Sequence, residues 1–113
     1  MSRTQIPSSS PYAGMIGFSR AVRIGNTLAI GGTAPLDKEG KIVGANDPAA
    51  QAQQCLNTIT HTLEAAGASL DDVIRTRIML TDIKDWHKVA EIHGKYFKHI
   101  YPSYLKMLVS ELP

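Results

Sequence analysis

The chain has 113 residues, 43% of them apolar and 19% charged, with a formal net charge of +2 and one cysteine. That length makes one domain, residues 1–113, with no room for separate cofactor and substrate domains. The small charge excess gives no strong field for nucleic acid or an anionic membrane, and the lone Cys55 excludes an intrachain disulfide framework or a multi-cysteine zinc site.

Residues 1–14 are rich in Ser, Pro and Gly, read as an extended arm, and carry no secretory pattern. Residues 17–24 alternate, with Phe18, Arg20, Val22 and Ile24 on one face and Ser19, Ala21 and Arg23 on the other. Gly25-Asn26 and the run 27–34 complete a predicted β-hairpin. Gly31-Gly32 inside its second strand marks a close approach of backbone or ligand. After a polar loop, Asp47-Pro48 predicts a capped helix over 49–66, with the stripe Ala52, Leu56, Ile59, Leu63 and Ala66 and closure at Gly67.

Residues 72–81 predict a strand with Val73, Arg75, Arg77, Met79 and Thr81 on one face. Ile74, Thr76, Ile78 and Leu80 form the other face, which should pack under the helices. Asp82 or Asp85 can cap a second helix, about 84–99, with the stripe Trp86, Val89, Ala90, His93, Phe97 and Ile100, ended by Tyr101-Pro102. Residues 103–111 form the last strand, with Leu105, Met107 and Val109 opposite Tyr104, Lys106, Leu108 and Ser110.

The order β-β-α-β-α-β gives an α+β two-layer sandwich, one mixed sheet with both helices on one face. The uncovered face is expected to carry Arg75, Arg77, Met79, Tyr104, Lys106 and Leu108. A half-apolar open sheet face of this kind points to a second copy of the chain as its cover.

No phosphate-loop motif is present. His87, His93 and His99 are six residues apart, each rotated about 240° from the last on a helix, and cannot converge on one metal. Cys55 reads as a small core hydrophobe, Trp86 and Phe97 as core aromatics, and Glu111 as a cleft contributor of little weight. The cationic set Arg75, Arg77 and Lys106, with Tyr104, stands out. It reads either as intersubunit salt bridges and solvated rims or as an anion pocket, with Arg as the natural partner of a carboxylate.

The stretches IGFSRAVRIGNTLAIGGTAPLDKEGKIVG, DPAAQAQQCLNTITHTLEAAGASLDDVIRTRIMLTDIKDW and VAEIHGKYF resemble the reactive intermediate deaminase family, also called RidA-like or YjgF-like. The resemblance implies a chorismate-mutase-like fold assembled as a cytoplasmic homotrimer with intersubunit clefts. It implies cofactor-free, metal-free hydrolysis of small imines or enamines to a carbonyl product and ammonia. Carried over residue by residue, it puts Phe18 at the family's first-strand aromatic, commonly Tyr, and Gly32 and Thr33 at the Gly and Gln of a Ser-Gly-Gln segment. Tyr104 stands where the family holds a carboxylate-binding Arg, so the chain is a divergent member. Arg77 and Lys106 are then the substitute anion contacts. The family pattern continues past Pro113 with a strand bearing a Glu, which the given sequence does not include. Three functions follow: a deaminase with altered substrate preference, a non-catalytic trimer binding a small, anionic ligand, and an RNA-cleaving translation inhibitor. The near-neutral charge and the lack of a stacking face argue against the last.

Overall fold

The computed structural model describes residues 2–110. Its elements are β1 (Arg3–Ile6), α1 (Ala13–Ile16), β2 (Ala21–Ile24), β3 (Thr27–Ile30), α2 (Pro48–Ala65), β4 (Arg75–Leu80), α3 (Trp86–Phe97) and β5 (Ser103–Leu108). Glu111, the last residue of the predicted final strand, lies outside the described residues.

The α+β class stands, with a refinement in the pairing. Among the described residues the strands form two hydrogen-bonded sheets, β1-β2-β3 antiparallel and β4-β5 parallel. The expected arm is in part regular structure: Arg3–Ile6 pairs with β2 as an additional edge strand, which the Ser/Pro-rich composition concealed, and Ala13 and Gly14 open the short helix α1. The hairpin turns at Gly25, φ 58°, with Ile24 opposite Thr27. A positive φ at the first central residue alone is the type II′ pattern, which glycine adopts without a Cβ clash.

The helix α2 forms as its signals dictate. The Asp47 side chain accepts from the Ala50 N–H at 3.2 Å, Pro48 occupies the first turn, and Gly67, φ 81°, follows the last turn. Gly44 guards the entry: it holds φ 73°, and a Cβ there would lie 2.7 Å from that of Ala50. The core lies between the helices, where Leu56 of α2 meets Ile92 and Phe97 of α3, with Ile59, Val73 and Ile100 packed around them. Burial of side chains such as Phe97 stabilises by about 1.5–3 kcal/mol each.

Three differences from the expected patterning share one cause, the short reach of regular structure. The chain is a 3₁₀ turn over Leu70–Asp72 and β4 begins only at Arg75, so the alternation does not extend back to 73–74. Val73 therefore packs into the core, and Ile74 is 85% exposed instead of lying under the helices. Likewise α3 starts at Trp86 after a 3₁₀ turn that Asp82 caps, accepting from the Lys84 N–H at 2.9 Å. Ile92 joins the buried set, Trp86 is half-buried at the start of the helix, and His99 lies beyond its last residue, Phe97.

Register decides the sheet faces. Arg77 pairs with Leu105, and Ile78 with Lys106, in parallel alignment. Paired residues share a face, so Arg75, Arg77 and Met79 lie with Ser103, Leu105 and Met107. Thr76, Ile78 and Leu80 lie with Tyr104, Lys106 and Leu108 on the side of α3. The expected grouping of Tyr104 and Lys106 with the arginines is therefore wrong by one residue. Within Arg75–Leu80 and Ser103–Leu108 the alternation is as expected, and the pairing between the two strands, invisible in either strand alone, differs.

Candidate functional site

Two polar clusters are built by different means. In the first, β3 ends at Ile30 and Gly31-Gly32-Thr33 runs on as a loop. The Arg20 Nη2 donates to the carbonyls of Gly31 and Gly32, the latter at 2.9 Å, and to Thr33 Oγ1 at 2.7 Å. From α2, the Cys55 thiol donates to the Thr33 carbonyl at 3.4 Å. Burial pushes the Cys55 thiol up to about 11, with the nearby Arg20 charge pulling the other way. The thiol is thus neutral near pH 7 and acts as a donor, not a nucleophile. Burial also lowers the Arg20 pKa from its ordinary value, opposed by Cys55, yet a guanidinium remains charged. The close approach expected at the double glycine is here: Gly31 lies against the backbone of Ser19 and Arg20, while Gly32 faces open space.

The second cluster sits where the start of α3 meets β5. The Trp86 Nε1–H donates to the Tyr104 hydroxyl at 2.7 Å, and the Lys106 ammonium lies 3.9 Å from the Trp86 ring centroid. His93 bonds Thr76 Oγ1 through Nε2 at 2.8 Å and stacks edge-on to Tyr104, with centroids 5.3 Å apart. Burial lowers the His93 pKa, so its ring is neutral at pH 7. The Tyr104 oxygen accepts from the indole, which leaves its proton free to donate outward beside the Lys106 ammonium.

The structure brings Gly32 and Thr33 together under Arg20, and Tyr104 and Lys106 together around Trp86. Phe18 stands apart from both, lining an open depression of about 410 Å³ with Gln5, Pro7, Ser8 and Ala13. Arg77 is exposed on the opposite sheet face from Tyr104 and Lys106 and cannot share an anion with them within one chain. Arg20 and Trp86 were not recognised from sequence as site residues. The double glycine signalled an unusual backbone but not its clamp, and helical spacing placed Trp86 in the core. Among the described residues no group of three or more His, Cys, Asp or Glu could hold a metal. Among the described residues no helix is long and apolar enough to cross a membrane.

The family profile described as Endoribonuclease L-PSP matches residues 8–113, and the chain belongs to this family. It is 41% identical over 97 residues to a RutC family protein of Pyrococcus horikoshii, covering 85% of this chain and 76% of that one. It is 32% identical over 110 residues to the human 2-iminobutanoate/2-iminopropanoate deaminase, covering 96% and 80% respectively. Among solved structures, a YjgF/YER057c/UK114 family member from Mycobacterium tuberculosis superposes with a TM-score of 0.87 at 40% identity, covering 98% of this chain and 87% of that one.

Proposed function

We propose that the protein hydrolyses a small 2-imino acid, or its enamine tautomer, to a 2-oxo acid and ammonia. Water adds to the imine carbon, the nitrogen takes up protons, and the C–N bond breaks to release ammonia. The reading requires no metal or organic cofactor. It is carried by the Trp86–Tyr104–Lys106 cluster, at the place where the family resemblance puts a carboxylate-binding Arg. Tyr104 donates one hydrogen bond to the substrate anion, and Lys106 supplies the charge. A phenol and an ammonium lack the bidentate fit of a guanidinium, and the loss of a charge-assisted bond costs about 1.5–3 kcal/mol. Simple aliphatic imino acids are therefore poor substrates, and ones with a larger or aromatic side chain, which can stack on Tyr104 and Trp86, are preferred. The human deaminase it resembles is named for 2-iminobutanoate and 2-iminopropanoate.

We further propose that the protein works as a homotrimer in the cytoplasm, with the site completed between subunits. Met79, Leu105 and Met107 lie about 40% exposed on the face that also carries Arg75 and Arg77. Within one chain the two polar clusters share no hydrogen bond among the described residues, and a neighbouring subunit would bring one to the other. Sedimentation at micromolar concentration should return a trimer; a stable monomer contradicts the assembly.

Imino acids generated in situ by an amino-acid oxidase, and trapped with semicarbazide, test the chemistry. The protein should accelerate decay, more for an aromatic imino acid than for 2-iminobutanoate. No acceleration of any imino acid, with 2-oxobutanoate still bound, would make the protein a non-catalytic ligand binder.

A further inference from the structure

The loop after β3 is held by its carbonyls. Arg20 Nη2 takes those of Gly31 and Gly32, and the Cys55 thiol takes that of Thr33. No peptide bond among the described residues is cis. In a planar trans peptide the C=O and N–H point to opposite sides. Three successive carbonyls turned toward Arg20 and α2 therefore turn the N–H groups of Gly32, Thr33 and Ala34 the other way. No backbone carbonyl among the described residues accepts from these three N–H groups. A Cβ built on Gly32 would meet nothing within 4 Å, so the space beside it is open. Each peptide dipole presents its positive end to that side, and oriented backbone amides of this kind favour an anion. The Arg20 Nε is buried without a partner among the described residues, so Nη2 alone makes the clamp.

We propose that Arg20 is a positioning residue that sets the Gly31–Thr33 peptides so that their outward N–H groups receive the carboxylate of the substrate. The inference rests on the imino-acid reading above and goes beyond it, because Arg20 acts through the backbone and touches no substrate. Its charge works from behind the loop, which explains how an exposed Gly-Gly segment keeps one orientation. Thr33 has a supporting part, since its Oγ1 accepts from Arg20 and also lies 3.2 Å from the Gly31 carbonyl.

The test uses ¹⁵N-labelled full-length wild type, Arg20→Met and Arg20→Lys. In the unliganded protein, Arg20→Met should raise fast backbone motion at residues 31–34 and leave the amides of β4, α3 and β5 unchanged. Arg20→Lys should restore part of the order. If Arg20→Met does not fold, wild type still decides: the Arg20 Nη protons should show hindered rotation, and free rotation overturns the clamp. Titration with 2-oxobutanoate should shift the Gly32 and Thr33 amides of wild type. In Arg20→Met the Kd for 2-oxobutanoate and the KM for an imino acid should rise about tenfold, the loss of one oriented charge-assisted hydrogen bond, with kcat changed less than about twofold. A merely structural role would lower kcat with the folded fraction and leave KM alone. Wild-type hydrolysis with an unchanged KM in Arg20→Met overturns this inference and leaves the deaminase reading standing. A wild type that neither binds 2-oxobutanoate nor hydrolyses imino acids overturns the carboxylate role and the deaminase reading together. The relaxation arm separately decides whether Arg20 orders the loop.

Discussion

The two halves of the molecule spend their polar side chains differently. In the half built on β1-β2-β3, side chains grip backbone: Arg20 holds the carbonyls of Gly31 and Gly32, and Arg23 holds those of Gly25 at 3.0 Å and Ala66 at 2.7 Å. In the half built on β4, α3 and β5, side chains grip side chains: His93 meets Thr76, Trp86 meets Tyr104, and Lys106 covers Trp86. A backbone grip fixes the path of the chain, so its loss moves several residues. A grip between side chains leaves the backbone to the sheet and helix hydrogen bonds, so its loss changes surface chemistry and little else. The first half is thus tuned for shape and the second for chemical identity.

The contrast predicts a ranking of substitutions. The largest effect should come from Arg23→Met. It removes the tie between β2 and the end of α2, where a cation also complements the helix dipole. Of the two charge-assisted bonds lost, the one to Gly25 is solvent-exposed and adds little, and the half-buried one to Ala66 sets a cost of about 1.5–3 kcal/mol by urea unfolding. A loss below about 0.5 kcal/mol would erase the distinction between the halves.

Tyr104→Phe comes next. It removes one hydroxyl at a half-exposed site and should cost about 0.5–1.5 kcal/mol, with the chemical shifts of the β4 and β5 backbone unchanged. Backbone shifts spreading beyond α3 would show that this half is also held by backbone grips. Lys106→Met should cost less, about 0.5 kcal/mol, since its contact with Trp86 is an exposed cation–π pair. Trp86 fluorescence reads the loss of the ammonium directly.

The smallest effect at neutral pH concerns His93. Its folded pKa is depressed by burial, so the unfolded chain binds the proton more readily. Its contribution to stability is whole above the unfolded pKa, about 6.5, and is lost as pH falls through the folded value. Unfolding midpoints measured between pH 7.5 and 5 should fall with pH, and His93→Gln should flatten part of that slope. An equal slope in the variant would remove His93 as the cause.

The sequence made the helices and most strand alternation legible because those depend on local periodicity: Asp47-Pro48 at the start of α2, its stripe through Leu56 and Leu63, and Thr76, Ile78 and Leu80 on one face. The parallel register between β4 and β5 depends on two segments separated by α3, and no pattern within either strand encodes it. Tyr104 and Lys106, two residues apart on one strand, were consequently kept together and assigned to the wrong face. Arg20 escaped notice for a similar reason. Alternation placed it beside Val22 on one face, whereas regular strand starts only at Ala21 and leaves Arg20 free to turn onto the loop. The pairing of β1 was hidden because Ser and Pro dominate the stretch that follows it.

The central claim, that the Tyr104–Lys106 pair receives the substrate anion where the family resemblance puts an arginine, has a direct measurement. It is kcat/KM for in-situ generated 2-iminobutanoate, compared between wild type and Tyr104→Arg. A restored guanidinium should raise it about tenfold or more, the equivalent of one charge-assisted pair, and narrow the preference for aromatic imino acids. An unchanged kcat/KM in a folded Tyr104→Arg protein would contradict the account.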